Sequence, residues 1–124
     1  MNRSARLASV LDEIVAAKRA EAARLAPRSR ELEAVARAAP GARGFARALR
    51  RDGEVAVIAE VKRRSPSAGW IREDADAAGI ARSYARSGAA AISVLTDRTW
   101  FGRGLADLET ARAAGEVPLR GKDF

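Results

Sequence analysis

Residues 55–61 read VAVIAEV, and this nearly continuous apolar run, rich in β-branched residues, decides the fold. Such a run is typical of a strand that is covered on both faces, as the strands of parallel sheets are. Residues 89–95 (AAAISVL) have the same character, and residues 117–119 begin a third run of this kind. The sequence therefore predicts three buried strands at similar intervals along the chain.

Two helical patterns separate the predicted strands. Residues 76–87 and 105–114 have apolar residues at helical spacing, and Leu105 and Leu108 are expected on the core face of the second helix. An alternation of strands and helices predicts a parallel sheet with right-handed crossovers. Both a doubly wound sheet and a (β/α)8 barrel satisfy this order of elements.

The loop after the first strand favours the barrel. A dinucleotide-binding sheet would carry a G-x-G-x-x-G turn there, whereas residues 62–69 (KRRSPSAG) contain a single glycine. A (β/α)8 TIM barrel needs about 250 residues, so a 124-residue chain is expected to supply its first three strands and to be truncated. Unpaired sheet edges also predict possible self-association, and a non-catalytic half-barrel assembly module or a gene remnant stays an alternative.

The first part of the chain has no strand pattern. A long amphipathic helix is predicted up to Pro27, and residues 30–38 predict a second, weaker helix. We therefore assign residues 1–52 to an N-terminal helical extension and residues 53–124 to the first βαβαβ portion of the barrel.

Composition excludes several classes of protein. The chain has no cysteine and no histidine, which removes disulfides, Cys/His zinc sites and imidazole bases. No apolar run approaches the roughly 20 residues of a membrane span, so we expect no membrane partner and a cytoplasmic location. The net charge is +7, but basic and acidic residues are interleaved along the whole chain, so no nucleic-acid partner is expected.

Candidate functional residues lie where the predicted strands end, because ligands of parallel α/β proteins bind at the carboxyl ends of strands. Glu60 and Lys62 are two positions apart on the first strand, and Lys122 follows the third. Glu60 and Lys62 would pair and hold each other charged, one as an acid or base and the other as an anion receptor. Lys122 adds to this site because the carboxyl ends of neighbouring parallel strands lie close together, although taken alone it could be a surface lysine. A solvated salt bridge is the alternative interpretation. Likewise, Ser65 and Pro66 lie in a segment that could bind an anion or simply form a turn.

Three separated motifs resemble one enzyme family. They are residues 58–69 (IAEVKRRSPSAG), residues 91–97 (AISVLTD) with Phe101 and Gly102 behind them, and residues 122–124 (KDF). In this order and spacing they resemble the N-terminal half of indole-3-glycerol phosphate synthase. The resemblance implies a (β/α)8 barrel preceded by a helical segment, and a lyase of tryptophan biosynthesis that uses neither a metal nor an organic cofactor. Its substrate is a small phosphorylated molecule, 1-(2-carboxyphenylamino)-1-deoxyribulose 5-phosphate, whose indole ring it closes with loss of CO₂ and water.

The resemblance also implies residue roles. Lys122 corresponds to the general acid on the substrate's carbonyl oxygen, Lys62 to the lysine that meets the substrate carboxylate, and Glu60 to the carboxylate that orients them. The substrate pocket would be lined by Ser65, Pro66, Phe101 and Phe124.

The sequence departs from the family pattern at two places, Arg103-Gly104 and Arg120-Gly121. An apolar strand residue is expected at position 120. Arg120 is therefore predicted to be buried without a partner, which would cost several kcal/mol.

Overall fold

The computed structural model describes residues 3–124, with side chains described from Val10 onward. These residues divide into two compact units, one ending at Gly41 and one spanning Ala42–Phe124. The division falls earlier than residue 52, and the assignment of 1–52 to one extension stays a prediction.

The first unit is helical, as predicted. Helix α1 (Arg3–Leu25) is followed by a short 3₁₀ turn (Ala26–Arg28) and by α2 (Ser29–Ala38). Pro27 lies inside the 3₁₀ turn, where its missing N–H and fixed φ interrupt the α-helical hydrogen-bond ladder. On the surface, the Arg28 guanidinium donates to both carboxylate oxygens of Glu31, from Nε at 3.0 Å and from Nη2 at 2.7 Å.

The second unit has α/β architecture. Its elements are, in order, α3 (Phe45–Ala48), β1 (Ile58–Val61), β2 (Arg64–Ser65), β3 (Gly69–Trp70), α4 (Ala77–Arg86), β4 (Ala91–Leu95), α5 (Arg98–Phe101), α6 (Leu105–Ala113) and β5 (Leu119–Lys122). Strands β1, β4 and β5 form one parallel sheet in the order β1-β4-β5, and β2 and β3 form a separate antiparallel hairpin. The parallel three-stranded sheet is consistent with the predicted portion of a TIM barrel. The hairpin was not predicted.

The core lies between the sheet and the helices α4 and α6. Ile92 and Val94, on the central strand β4, are 1% and 0% exposed and pack with Ala81 and Ala111 of the two helices. Burial of a large aliphatic side chain contributes roughly 1.5–3 kcal/mol. Alanines on the helices let them approach the sheet closely, which explains why the alanine-rich sequence still builds a packed core.

The first strand is shorter than predicted. It begins at Ile58 rather than at residue 55, and Val55 and Val57 are 86% and 54% exposed. Ile58 pairs with Ala91, the first residue of β4, and just before it the Val57 carbonyl accepts a hydrogen bond from the Ala90 amide at 2.9 Å. Val55 lies before this first contact with the β4 segment. The apolar run is therefore longer than the pairing that the sheet offers it.

The third strand begins at Leu119 rather than at residue 117. Pro118 has no N–H and takes part only as an acceptor, through its carbonyl oxygen, 2.9 Å from the Ile92 amide nitrogen. The strand therefore begins at the residue after the proline, where the backbone again has an N–H to donate.

The expected core position of Leu105 is wrong. Leu105 is 65% exposed, whereas Leu108 packs against the core. The buried face of α6 is set by Asp107 and Ala111, four residues apart. A helix turns by about 100° per residue, so Leu105 lies nearly opposite Asp107.

The predicted burial of Arg120 is also wrong. Its side chain is exposed, and the guanidinium carbon lies over the Phe45 ring, 5.8 Å from the centroid. Its Nε makes a long hydrogen bond of 3.5 Å to Ser93 Oγ. The neighbouring Gly121 faces Leu108 of α6, so alternation along β5 directs Arg120 to the other face of the sheet.

Across residues 3–124, no helix has both the length and the apolar character needed to cross a membrane.

Candidate active site

The sheet register brings the predicted charged residues onto one face. Glu60 of β1 pairs with Ser93 of β4, which pairs in turn with Arg120 of β5. Residues paired across a parallel sheet point to the same side, and so do residues two positions apart on one strand. Lys62 and Lys122 are each two residues beyond this row, at the carboxyl ends of β1 and β5.

The three side chains form a cluster around a single carboxylate. Lys122 Nζ donates to Glu60 Oε2 at 3.0 Å, and Lys62 Nζ lies 3.5 Å from Glu60 Oε1. Each ammonium thus contacts a different oxygen. The side chains are 33%, 34% and 36% exposed for Glu60, Lys122 and Lys62, so the cluster is open to a ligand.

The charges of this cluster do not cancel. Partial burial by itself would raise the pKa of Glu60, but the hydrogen bond and charge of Lys122, together with Lys62, outweigh it and lower that pKa. Glu60 is therefore ionised at neutral pH and carries one negative charge beside two ammonium groups. The surplus positive charge suits an anionic ligand.

A helix residue supports the backbone of the cluster. Tyr84 of α4 donates its hydroxyl hydrogen to the carbonyl oxygen of Glu60 at 2.9 Å, and its ring packs against the core. Tyr84 lies in the helix predicted over residues 76–87, but the sequence pattern did not predict this bond. The available signal was the hydroxyl itself, because a half-buried tyrosine hydroxyl usually has a partner.

Ser65 is the last residue of β2, and Pro66 begins the turn of the β2–β3 hairpin. Ser65 is buried, and its Oγ accepts a hydrogen bond from the Ala68 amide at 3.1 Å and lies 3.4 Å from Ser67 Oγ. Pro66 is exposed. These two Ser65 contacts stabilise the turn, which agrees with the turn interpretation of the sequence and leaves a role toward a ligand as a prediction.

The two phenylalanines lie after β4 and after β5. Phe101 is the last residue of α5, a short helix that Asp97 caps by accepting the Trp100 amide at 2.9 Å. Phe124 is 47% exposed. The chain just before Phe124 is fixed to β4 by Thr96, whose amide donates to the Lys122 carbonyl at 2.9 Å. A pocket role for both rings stays a prediction.

Comparison with known proteins agrees with the motifs. The family model for indole-3-glycerol phosphate synthase matches residues 11–124. The indole-3-glycerol phosphate synthase of Dechloromonas aromatica (strain RCB) is 47% identical over 123 residues, covering 95% of this chain and 47% of that protein. The synthase of Burkholderia cenocepacia (strain HI2424) is 49% identical over 123 residues, with the same coverage.

The match to a third relative covers a smaller part of this chain. The indole-3-glycerol phosphate synthase of Beutenbergia cavernae is 51% identical over 92 residues, which is 74% of this chain and 33% of that protein. The chain therefore spans half or less of the length of these curated relatives. Because the family model extends over nearly the whole sequence, the chain belongs to the indole-3-glycerol phosphate synthase family.

Proposed function

We propose that these residues serve an indole-3-glycerol phosphate synthase, a carboxy-lyase that closes the indole ring of 1-(2-carboxyphenylamino)-1-deoxyribulose 5-phosphate. The observation that carries the proposal is the contact of Lys62 and Lys122 with opposite oxygens of Glu60. A substrate with a carboxylate and a phosphate suits a site with surplus positive charge, and ring closure needs a proton donor at a carbonyl oxygen.

In the proposed reaction, Lys122 is the general acid. The aromatic carbon that bears the carboxylate attacks the carbonyl carbon, and the carbonyl oxygen takes the Lys122 proton as the new C–C bond forms. CO₂ then leaves with return of the ring's aromatic electrons. The new hydroxyl group takes up a proton from solvent and leaves as water, while the neighbouring CH₂ carbon loses a proton to solvent as the C=C bond of the indole ring forms. Lys62 holds the substrate carboxylate before it departs, and Glu60 holds both lysines near the same space through its two carboxylate oxygens.

We propose further that Ser65, Pro66, Phe101 and Phe124 line the pocket for the aromatic ring. Their placement on segments that follow β1, β4 and β5 supports this. Aromatic and apolar walls with a few polar groups are the usual composition of a small-molecule pocket.

We also propose a cytoplasmic protein without a nucleic-acid partner, which can self-associate through its sheet edges. In the three-stranded sheet, β1 and β5 each pair with β4 on one side only. Sedimentation velocity over a range of concentrations tests the self-association, since a constant monomer mass at every concentration contradicts it.

The reaction is tested in a chimera in which this chain is followed by the C-terminal half of the Dechloromonas aromatica relative. Lys122→Met keeps most of the side-chain volume and removes the acid, so kcat should fall by about 10²–10⁴-fold while KM changes little. Lys62→Met should instead raise KM, because it removes the contact with the substrate carboxylate. Formation of the indole product is followed by its fluorescence.

The matched control is Arg86→Met, which removes a cation from the exposed end of α4 and should leave turnover unchanged. A chimera without ring closure contradicts the proposed function. If Lys122→Met keeps kcat within about threefold of the parent while Lys62→Met abolishes turnover, the two lysine roles are reversed.

A further inference from the structure

A second ion pair lies outside the charged cluster and is buried. Arg63 follows Lys62 directly in sequence, and Asp107 lies in the first turn of α6. The two residues are 6% and 5% exposed. Arg63 Nε donates to Asp107 Oδ2 at 2.7 Å and Nη2 donates to Oδ1 at 3.0 Å, so both carboxylate oxygens are engaged.

The rest of Arg63 holds the loop between β1 and α4. Its Nη1 donates to the Glu73 carbonyl at 2.6 Å. Its own carbonyl oxygen accepts from the amides of Ile71 and Arg72 at 2.8 and 3.0 Å. Arg63 therefore ties the start of the loop to its far end, and the ion pair fixes this closed loop to α6.

A contact between two loops lies beside the ion pair. Trp70 packs so closely on Gly102, the residue after α5, that a Cβ there would lie 2.7 Å from Trp70 Cζ3. Arg64 lies over the Trp70 ring, 5.7 Å from its centroid, and its Nη1 is 3.4 Å from the Thr99 carbonyl. The loop after β1 is thus docked on the segment after β4 at two separate points.

Stability alone does not account for the buried pair. Replacing a buried ion pair with apolar residues of similar size is often neutral or stabilising, because both charges lose their hydration. A bidentate arginine–carboxylate pair supplies a fixed geometry instead. Here the residue held in that geometry adjoins Lys62, which contacts Glu60.

We propose that the Arg63–Asp107 pair positions Lys62, by fixing the backbone next to it so that the Lys62 ammonium stays on the Glu60 carboxylate. Arg63 is a positioning residue in this role, since its three guanidinium nitrogens all donate to Asp107 or Glu73. The inference rests on the proposed function only for its effect on turnover. The placement of the Lys62 ammonium is testable without substrate.

The test uses the chimera with two substitutions made together, Arg63→Met and Asp107→Leu. The double variant avoids the unpaired buried charge that either single change would leave, so it should fold. Its unfolding temperature should stay near that of the parent, whereas kcat/KM should fall at least about tenfold, because a small misplacement of a binding group is costly.

Competitive acetylation provides the second readout. The Lys62 side chain, released from Glu60, should react with acetic anhydride through its neutral amine severalfold faster in the double variant, while the rate at Lys122 is unchanged. Mass spectrometry of peptides separates the sites, since this chain contains only three lysines, Lys18, Lys62 and Lys122. The matched control is Arg28→Met with Glu31→Leu, an exposed pair of the same chemistry that joins the 3₁₀ turn to the first turn of α2 and should change neither readout.

Unchanged Lys62 reactivity and a kcat/KM within about twofold of the parent would overturn the positioning role. If the parent chimera shows no ring closure, the proposed function fails, but the acetylation rates still decide whether the pair positions Lys62. A double variant that loses its folded state while the single variant Arg63→Lys keeps the parent's Lys62 reactivity also overturns the proposal. Such a result makes the pair a stabilising contact.

Discussion

The hydroxyl group of Tyr84 donates a hydrogen bond to the backbone carbonyl oxygen of Glu60, 2.9 Å away. The bond joins helix α4 to strand β1 at the residue whose carboxylate holds both lysines. Packing of α4 on the core therefore also fixes the point from which the Glu60 side chain extends. The hydrogen bond therefore links the packing of the apolar core to the position of the charged cluster.

Tyr84→Phe in the chimera should lower the free energy of unfolding by about 1 kcal/mol, because it removes one hydrogen bond and keeps the ring in the core. Urea denaturation measures the change. Tyr84→Ala is the comparison and should cost clearly more, since it also removes the packed ring. An unchanged free energy of unfolding in Tyr84→Phe would show that the hydroxyl contributes nothing.

The lowered pKa of Glu60 predicts a pH dependence of stability. The unfolded chain has the ordinary glutamate value of 4.5 and binds a proton more readily than the folded chain. The contribution of Glu60 is therefore fully present above about pH 5 and is lost as the pH falls through the lower folded value. The stability difference between the parent chimera and Glu60→Gln should be constant near neutrality and shrink in acid. A difference that is the same at about pH 7 and pH 3 contradicts this.

Gly102→Ala should destabilise the chimera by about 1 kcal/mol or more. Gly102 has a φ of +90°, which disfavours any side chain, and the new Cβ would collide with Trp70. Gly115→Ala is the control, because a Cβ there meets nothing within 4 Å and the backbone is not in the left-handed region. Thermal unfolding of both variants measures the effect, and a similar midpoint for the two would contradict the loop contact.

Ile92→Ala should cost about 2–5 kcal/mol, the usual range for a large aliphatic residue in a packed core. Ile92 is 1% exposed on the central strand. Val55→Ala, at a residue that is 86% exposed, should change stability by no more than about 0.5 kcal/mol. Denaturation midpoints of the two variants decide this, and a comparable loss at Val55 would mean that residue 55 belongs to the core after all.

The local sequence pattern was sufficient to predict the parallel sheet and the helices that pack on it. The strand predicted over residues 89–95 is β4 (Ala91–Leu95), and the helix predicted over residues 76–87 is α4 (Ala77–Arg86). Both have long apolar patterns that only one secondary structure satisfies. The unpaired start of the first run, at Val55, could not be predicted, because the length of a strand depends on the partner it finds.

Features that depend on residues far apart in sequence could not be predicted from local patterns. The β2–β3 hairpin has two residues in each strand, too few for an alternating pattern. Arg63 and Asp107 are 44 positions apart, and nothing in either local sequence distinguishes them from other charged residues. The cluster of Glu60, Lys62 and Lys122 was predictable because the carboxyl ends of parallel strands meet at one edge of a sheet, whatever their separation in sequence.

The order β1-β4-β5 has a consequence for synthesis of the protein. Among these three strands, each pairs with the next strand of the parallel sheet that the ribosome releases, so their pairing does not wait for a strand made later. Once β4 has emerged, it can add to β1 and bury its apolar residues beneath α4 while translation continues. The sheet can therefore grow cotranslationally, strand by strand, from its β1 edge.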